Sequence, residues 1–448
     1  MKSDGTLFEL PEAREMAEPR ATRAEDARLV RPMRQQVQFL PRDLDAAVPE
    51  DHAARAIWGL LEQLDLSAFY GRIKAVWDRP GRPTTDPQVL LAVWLLATVE
   101  GVGSARRVAR LCEEHDAYRW LCGGVPINYH MLADFRVAHG DALDQLLTQI
   151  IASLLAADAV TLERVAQDGM RVRASAGASS YRRKERLAVC LREAERQVQR
   201  LAAERDHPDA GVSKREQGAR ARAARERVVR VGQALACLPE LEAAKERQQR
   251  TLAKPKRSEI GAARASTTDP EARVMKMPDG GFRPAYNIEL ATDSARGVIV
   301  GVAVTAAGTD AGQAVPMEAQ IVQRTGQHPK EYLMDGGFAT REDVTELSQR
   351  GLTVYAPVRL PRNHPAATRY APRYGDSPEV VAWRARMATD AAKALYRQRG
   401  ALAEWTNAQV RLHGVSQFTV RSLANVRTVV LLVAVAHNLL RWRSLSNL

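Results

Sequence analysis

VTLERVAQDGMRVRA, residues 160–174, is where the chain changes character. Before it the apolar residues recur at helical spacing; within it β-branched residues gather around a glycine, so strand pairing is expected to begin here. Asp168 stands directly before that glycine, Gly169, and interrupts the strand signal. A second stretch, Lys330-Glu-Tyr-Leu-Met-Asp335-Gly-Gly-Phe338, is a short apolar run ending in an acidic residue and two glycines. Residues 286–292 and 297–306 read as an antiparallel hairpin joined by a short turn. Helices are expected near residues 312–325 and 340–350, and a further strand over 352–358. That alternation belongs to an α/β sheet.

Towards the N-terminus, residues 51–140 carry a helical period throughout, for example Ala54, Ile57, Leu60, Leu61 and Leu64. Asp86-Pro87 starts a helix bearing Leu90, Leu91, Trp94 and Leu95; the turn Gly101-Val-Gly-Ser104 ends it and offers Ser104 as the next N-cap. Helix, short glycine turn, helix is the outline of a DNA-reading unit, and also of any small helical bundle. The third helix, from about Asn128 through Phe135-Arg136, is an equal candidate for the reader. The resulting partition is a mobile leader over residues 1–35, a helical N-terminal domain over 36–150 and a catalytic α/β domain over 151–448.

The α/β domain is interrupted over residues 178–260. Leu187, Leu191, Ala194, Val198 and Leu201 recur at alternating steps of four and three, which are heptad positions. The spacing breaks at His207-Pro208 and resumes with Ala221, Ala224, Val228, Val231, Leu235 and Leu238, so a coiled-coil helical hairpin is expected. Its flanks, dense in Arg and Glu, read as a solvated face rather than a dedicated DNA grip; Lys254-Pro-Lys-Arg257 beyond it is a candidate phosphate contact.

Composition narrows the function classes. The formal charge of +12 and pI near 9.8 favour a polyanionic partner, although an Arg- and Ala-rich chain is often basic for no such reason. Cys112, Cys122, Cys190 and Cys237 are scattered without a C-x-x-C pair, which argues against a zinc site or a disulfide framework. Residues 1–30 lack the apolar core of a signal peptide, so a cytoplasmic location follows by default. The most apolar stretch, residues 429–440, is a dozen long and contains His437 and Asn438; it reads as a buried helix, not a bilayer span. No phosphate-binding nucleotide motif is present, and no nucleotide cofactor is expected.

Three acidic positions suit phosphoryl transfer on DNA. That chemistry uses two divalent ions, Mg²⁺ or Mn²⁺, about 4 Å apart, one to activate the nucleophile and one to stabilise the leaving oxygen. Carboxylates on rigid elements, open towards a phosphate, hold such ions. Asp168, Asp335 and Glu404 fit, and glycines beside the two aspartates permit close approach. Asp279-Gly-Gly is a competitor, since most Asp-Gly pairs are turns.

A family resemblance separates them. Asp168-Gly-Met-Arg, Tyr332-Leu-Met-Asp335-Gly-Gly-Phe338, and Tyr396-x-x-Arg399 with Glu404 and Arg411 together resemble the signature of bacterial insertion-sequence DDE transposases. Arg411 stands where many of these enzymes have lysine, and the step from Arg399 to Glu404 is one residue longer than the commonest form. Further similarity covers Asp86-Pro87 to Arg136, Asp269 to Arg273, Gly281 to Asn287, Trp383 to Met387 and Phe418 to Arg441. The resemblance implies a ribonuclease-H-like core with a mixed sheet, and catalytic and metal-binding roles for Asp168, Asp335 and Glu404. It also implies DNA contacts from Tyr396, Arg399, Arg411 and Arg136. It further implies water-driven cleavage at the element's terminal inverted repeats, followed by attack of the 3′-hydroxyls on target DNA, with a homodimer or larger assembly pairing the ends. A DNA-binding remnant without activity and a metal-dependent nuclease without strand transfer are the alternatives.

Overall fold

The computed structural model describes residues 43–71, 73, 83–206, 213–250, 263–360 and 365–446. The leader expected over residues 1–35, the break at Pro208 and the Lys254 to Arg257 run lie outside the described residues.

Seven helices open the described chain: α1 (Ala53–Leu61), α2 (Ser67–Tyr70), α3 (Pro87–Val99), α4 (Ala105–Glu114), α5 (Asp116–Cys122), α6 (Tyr129–Ala138) and α7 (Gly140–Ala156). Asp86 caps α3 by accepting the Gln88 N–H at 2.8 Å, and Pro87 fills the first turn, where its missing N–H costs nothing. Every residue of α3 from Val89 to Thr98 is buried, so this helix is a central strut rather than an amphipathic one. Ser104 caps α4 as its position suggested, its hydroxyl accepting from the Arg107 N–H. The turn between α3 and α4 is held from outside. A Cβ on Gly101 would lie 2.7 Å from the Leu412 carbonyl oxygen, and one on Gly414 would lie 2.8 Å from the Gly101 carbonyl oxygen. Both glycines have positive φ, +71° and +83°, so sterics and conformation exclude side chains there together.

The sheet is mixed. Its strands are β1 (Arg164–Arg173), β4 (Arg273–Lys276), β5 (Phe282–Asp293), β6 (Ile299–Thr305), β7 (Glu331–Met334) and β8 (Thr353–Tyr355); β2 (Tyr181–Arg182) and β3 (Ala265–Ser266) form a separate small ladder. Central β1 pairs antiparallel with β5 on one side and parallel with β7 on the other, and β8 continues parallel to β7. The other edge of β5 is shared, β4 taking Phe282 to Ala285 and β6 taking Asn287 to Thr292. The β5–β6 hairpin turns at Asp293 and Gly297, as its sequence suggested. One expectation is corrected: Asp168-Gly169 does not break the strand, because β1 runs through both and pairs residue by residue with β5. A glycine weakens a strand but forfeits no main-chain hydrogen bond, so flanking Val165, Met170 and Val172 carry the pairing across it.

The long excursion leaves after β2 and returns at β3, and it contains α8 (Lys184–Asp206), α9 (Lys214–Ala236) and α10 (Leu238–Arg250). Leu187 and Cys190 near the start of α8 cluster with Val231 and Ala234 near the end of α9 and with Leu238 at the start of α10, so α8 and α9 run antiparallel with their own small core. The remaining helices are α11 (Ala314–Thr325), α12 (Arg341–Gln349), α13 (Pro378–Ala388), α14 (Asp390–Leu412) and α15 (Leu423–Ser446). α11 packs into the space left by Gly301, where a Cβ would meet the Met317 sulfur at 2.5 Å. α15 is long and apolar enough to cross a bilayer, yet it lies inside the fold. Val430 to Ala436 are buried, Asn438 bonds both the N–H and the carbonyl of Ile299 on β6, and the His437 ring bonds the Gly297 carbonyl at 2.8 Å. One buried cluster runs from Val48 to Leu439, so the helical region and the sheet share a core.

Candidate active site

The last register pair between β1 and β7 is Gln167 with Met334, so the next step along both strands holds Asp168 and Asp335. Adjacent strands lie about 4.8 Å apart, and side chains alternate between faces, so these two carboxylates share one face at neighbouring positions. α14 covers that face. Asn407 donates from Nδ2 to Asp168 Oδ2 at 2.9 Å, and Arg399 Nη2 lies 3.4 Å from Asp168 Oδ1. Burial pushes the Asp168 carboxyl above the usual carboxylate range; Arg399 opposes this, and the neighbouring Asp335 charge adds to it. Asp335 is exposed at the rim, where its Oδ1 accepts the Gly336 N–H at 2.5 Å. Tyr396 is half-buried, with the Arg399 guanidinium 5.8 Å from its ring centre, and burial raises its phenol.

Glu404 and Arg411 are not part of this arrangement. Both are exposed on α14, seven residues apart and therefore on one face, while Tyr396, Arg399 and Asn407 turn towards Asp168. Among the described residues no three His, Cys, Asp or Glu side chains converge as metal ligands. Asp279, the competing Asp-Gly-Gly, is a surface turn: it accepts the Gly281 N–H and pairs with Arg283 at 2.5 Å. Trp405 keeps 38% of its surface exposed and packs against Gly297, with the Arg441 guanidinium 5.3 Å from its ring centre.

Arg136, expected as a DNA contact, lies inside the helical region: the side chain is buried, Nη1 donates to the Gly103 carbonyl at 2.5 Å and the guanidinium lies 4.7 Å from the ring centre of Trp94. Burial lowers its pKa to about 10. It clamps the α3–α4 turn from within and offers no phosphate a free guanidinium. The exposed cations of this region are instead on α4, at Arg106, Arg107 and Arg110.

The opposite face of β1 holds residues that the sequence did not single out. Gln167 is fully buried there; its Nε2 contacts Glu289 Oε2 at 3.4 Å and its Oε1 accepts from the Tyr332 hydroxyl at 2.7 Å. Asn287 donates from Nδ2 to Glu289 Oε1 at 2.6 Å and to Asp310 Oδ1 at 2.8 Å. This network spans β7, β1, β5 and the loop before α11. The two glycines beside the aspartates make room for it. A Cβ on Gly169 would lie 3.0 Å from Glu289 Oε1 and 3.1 Å from Asp310 Oδ1, and one on Gly337 would lie 2.9 Å from Asp310 Oδ2. Burial, then the nearby Asp310 charge, pushes the Glu289 carboxyl up to about 8, so it holds a proton at neutral pH. No motif announces these positions; the available hint was Asn287 and Glu289 as polar residues inside an otherwise apolar strand.

The front face is therefore a pair of carboxylates, Asp168 partly desolvated and Asp335 exposed, flanked by a guanidinium and an amide. Asn407 Oδ1 is buried and has no hydrogen-bond donor among the described residues, which leaves a third hard oxygen beside Asp168. Carboxylate and amide oxygens are the donors that Mg²⁺ and Mn²⁺ select, so the donor chemistry fits such ions. Comparison with known proteins adds one finding about a different part of the chain. Residues 42–138 match the family described as Transposase domain (DUF772). No curated protein and no solved structure matches the chain. The family match ends before β1, so it bears on the helices α1 to α6 and not on the carboxylates; over those helices it supports reading the chain as a transposase.

Proposed function

We propose that the chain is a DDE transposase that cleaves the ends of an insertion sequence and joins them to target DNA, with Asp168 and Asp335 as paired metal-binding carboxylates. The observation that carries this reading is their juxtaposition at one register step of β1 and β7, in a chain whose helical region matches a transposase domain. The mixed sheet around that pair supports a ribonuclease-H-like core. Asp168, Asp335 and the Asn407 amide oxygen would hold divalent ions, which when bound activate water or a 3′-hydroxyl and neutralise the leaving oxygen. Glu404 enters the reading as the carboxylate that completes the set once DNA is bound: it sits one helical turn from Asn407, about 60° around α14.

The chain's own groups then have separate tasks. Arg399 offsets the negative charge at Asp168 and offers its remaining donors to a phosphate oxygen. Asn407 keeps Asp168 oriented and, by donating to the charged form, resists its protonation. Exposed Arg411 and, on α4, Arg106, Arg107 and Arg110 meet the DNA backbone away from the reacting phosphate. The protein works on double-stranded DNA in the cytoplasm, as a dimer or larger assembly, because two ends must be held together.

Asp335→Asn is the decisive test. It is expected to abolish Mn²⁺-dependent nicking of a duplex carrying the element's end, by at least about a thousandfold, or roughly 4 kcal/mol of barrier. Binding of the same duplex, followed by electrophoretic mobility, should stay within a few fold. Undiminished nicking by the variant would falsify the assignment.

A further inference from the structure

The basic excess of the chain, +12 over 448 residues, is unevenly distributed. α9 carries seven Lys and Arg against Glu216 and Glu226, a net +5 in 23 residues. Its neighbours are close to neutral: α8 sets six basic against five acidic residues, and α10 three against three. A solvated helical face usually pairs its charges along the helix. Among the described residues two of the α9 cations do so, Arg220 with Glu216 at 2.7 Å and Arg230 with Glu226 at 3.5 Å. Arg222, Arg225 and Arg227 are exposed without an ion pair among the described residues. Arg222 and Arg225 stand three apart, as do Arg227 and Arg230, and like charges at that spacing weaken a helix unless an anion sits between them.

The seam between the two helices concentrates this charge. Arg200 of α8 and Arg220, Arg227 and Arg230 of α9 line a groove of about 490 Å³, with Glu204 as an acidic residue on its wall. Four guanidiniums along one groove suit a row of phosphates, because a guanidinium offers five donors in a planar fork and Arg220 and Arg230 keep donors beyond those they share with Glu216 and Glu226. The length also suits: the α9 wall from Arg220 to Arg230, at 1.5 Å per residue, spans about 15 Å, the reach of a few successive phosphates on one strand.

We infer that the α8–α9 groove is a binding surface for the sugar-phosphate backbone of duplex DNA, engaged without reading sequence. This rests on the transposase reading and extends it by assigning a grip to the helices that interrupt the sheet. The excursion leaves from the strand region just after β1, which carries Asp168, so DNA held on the groove is tethered to the catalytic strand. The partner is defined by charge spacing alone, and the affinity is therefore strongly salt-dependent.

The test uses the full-length chain with four changes together, Arg200→Gln, Arg220→Gln, Arg227→Gln and Arg230→Gln. A fluorescent 30-base-pair duplex of arbitrary sequence is titrated by anisotropy between 50 and 300 mM KCl. Each phosphate contact contributes about 0.9 to the slope of log affinity against log salt, so the slope should fall by about 2 to 4, with at least a tenfold loss of affinity at 100 mM. A second variant, Lys245→Gln, Arg247→Gln and Arg250→Gln on near-neutral α10, controls for net charge and should leave the slope unchanged. Arg→Lys at the four groove positions should restore most of the slope. An unchanged slope in the groove variant, an equal loss in the α10 variant, or tighter binding of duplex RNA of the same length overturns the proposal. Asp335→Asn keeps the two ideas apart: nicking that survives this change, with the salt slope of binding unaltered, would refute the catalytic reading and leave the groove standing.

Discussion

Gln167, Asp168 and Gly169 are consecutive on β1, yet the two faces of the strand treat them differently. On the front, Asp168 meets one guanidinium and one amide from α14, and beside it Asp335 is exposed. On the rear, Gln167 and Glu289 are sealed from solvent and satisfied by Tyr332, Asn287 and each other. Each face holds one carboxyl with a raised pKa, Asp168 in front and Glu289 behind, in different surroundings. On the rear, Glu289 is kept neutral and bonded, which rigidifies the strands. The front carboxylates are left near each other with few donors, which favours an incoming cation. A raised carboxyl pKa is therefore no marker of catalysis by itself; access distinguishes the two sets.

The comparison can be broken most forcefully at Glu289. Its carboxyl, at about 8 in the folded chain and 4.5 as an ordinary glutamate, binds its proton more tightly when folded. The associated stability is full below pH 4.5 and is lost as pH rises through about 8. Glu289→Gln should remove that dependence, leaving the variant more stable than the parent at pH 9 by on the order of a few kcal/mol. Urea denaturation at pH 5, 7 and 9 measures it; parallel curves for both chains would mean that the rear face is not proton-loaded.

A smaller effect is expected at the glycine between the faces. Gly169→Ala places a methyl 3.0 to 3.3 Å from Glu289, Asp310 and Asn287, all held by hydrogen bonds and unable to retreat freely. Overpacking of this kind costs about 1–3 kcal/mol. Gly177→Ala, where the nearest atom would be the Ser179 hydroxyl at 3.6 Å, should change stability by less than about 0.5 kcal/mol. Equal melting temperatures for the two variants would show that the rear network is loose.

The smallest change sharpens the front face. Asn407→Ala deletes a donor to ionised Asp168 and should move the acid limb of the nicking pH profile upward, with stability altered by about 0.5–1.5 kcal/mol. If the pH profile stays in place while the rate falls, Asn407 acts on the substrate and not through Asp168.

The uneven legibility of the sequence has a physical cause. Caps, turns and strand ends depend on residues a few positions apart, so Asp86-Pro87, Ser104, the β5–β6 turn and the Asp335 strand end were readable locally. The partners of Asp168 are 231 and 239 residues away, and those of Gln167 are 122 and 165 away. No local pattern reports such distances. Arg136 stands at the end of a possible reader helix, where a cation looks like a phosphate ligand; its contacts with Trp94 and Gly103 come from 42 and 33 residues away and leave no local trace. The glycines beside the aspartates read as room for metal and DNA; the group that lies against Gly169 and Gly337 is Asp310.

Gly101 and Gly414 join the α3–α4 turn to the last turn of α14, backbone against backbone. A joint built from two main chains has no adjustable part: no larger or smaller side chain can retune it, and any side chain at all wedges it open. The helices that match a transposase domain and the helix that reaches Asp168 thus meet through two residues that have nothing to offer but their absence of bulk.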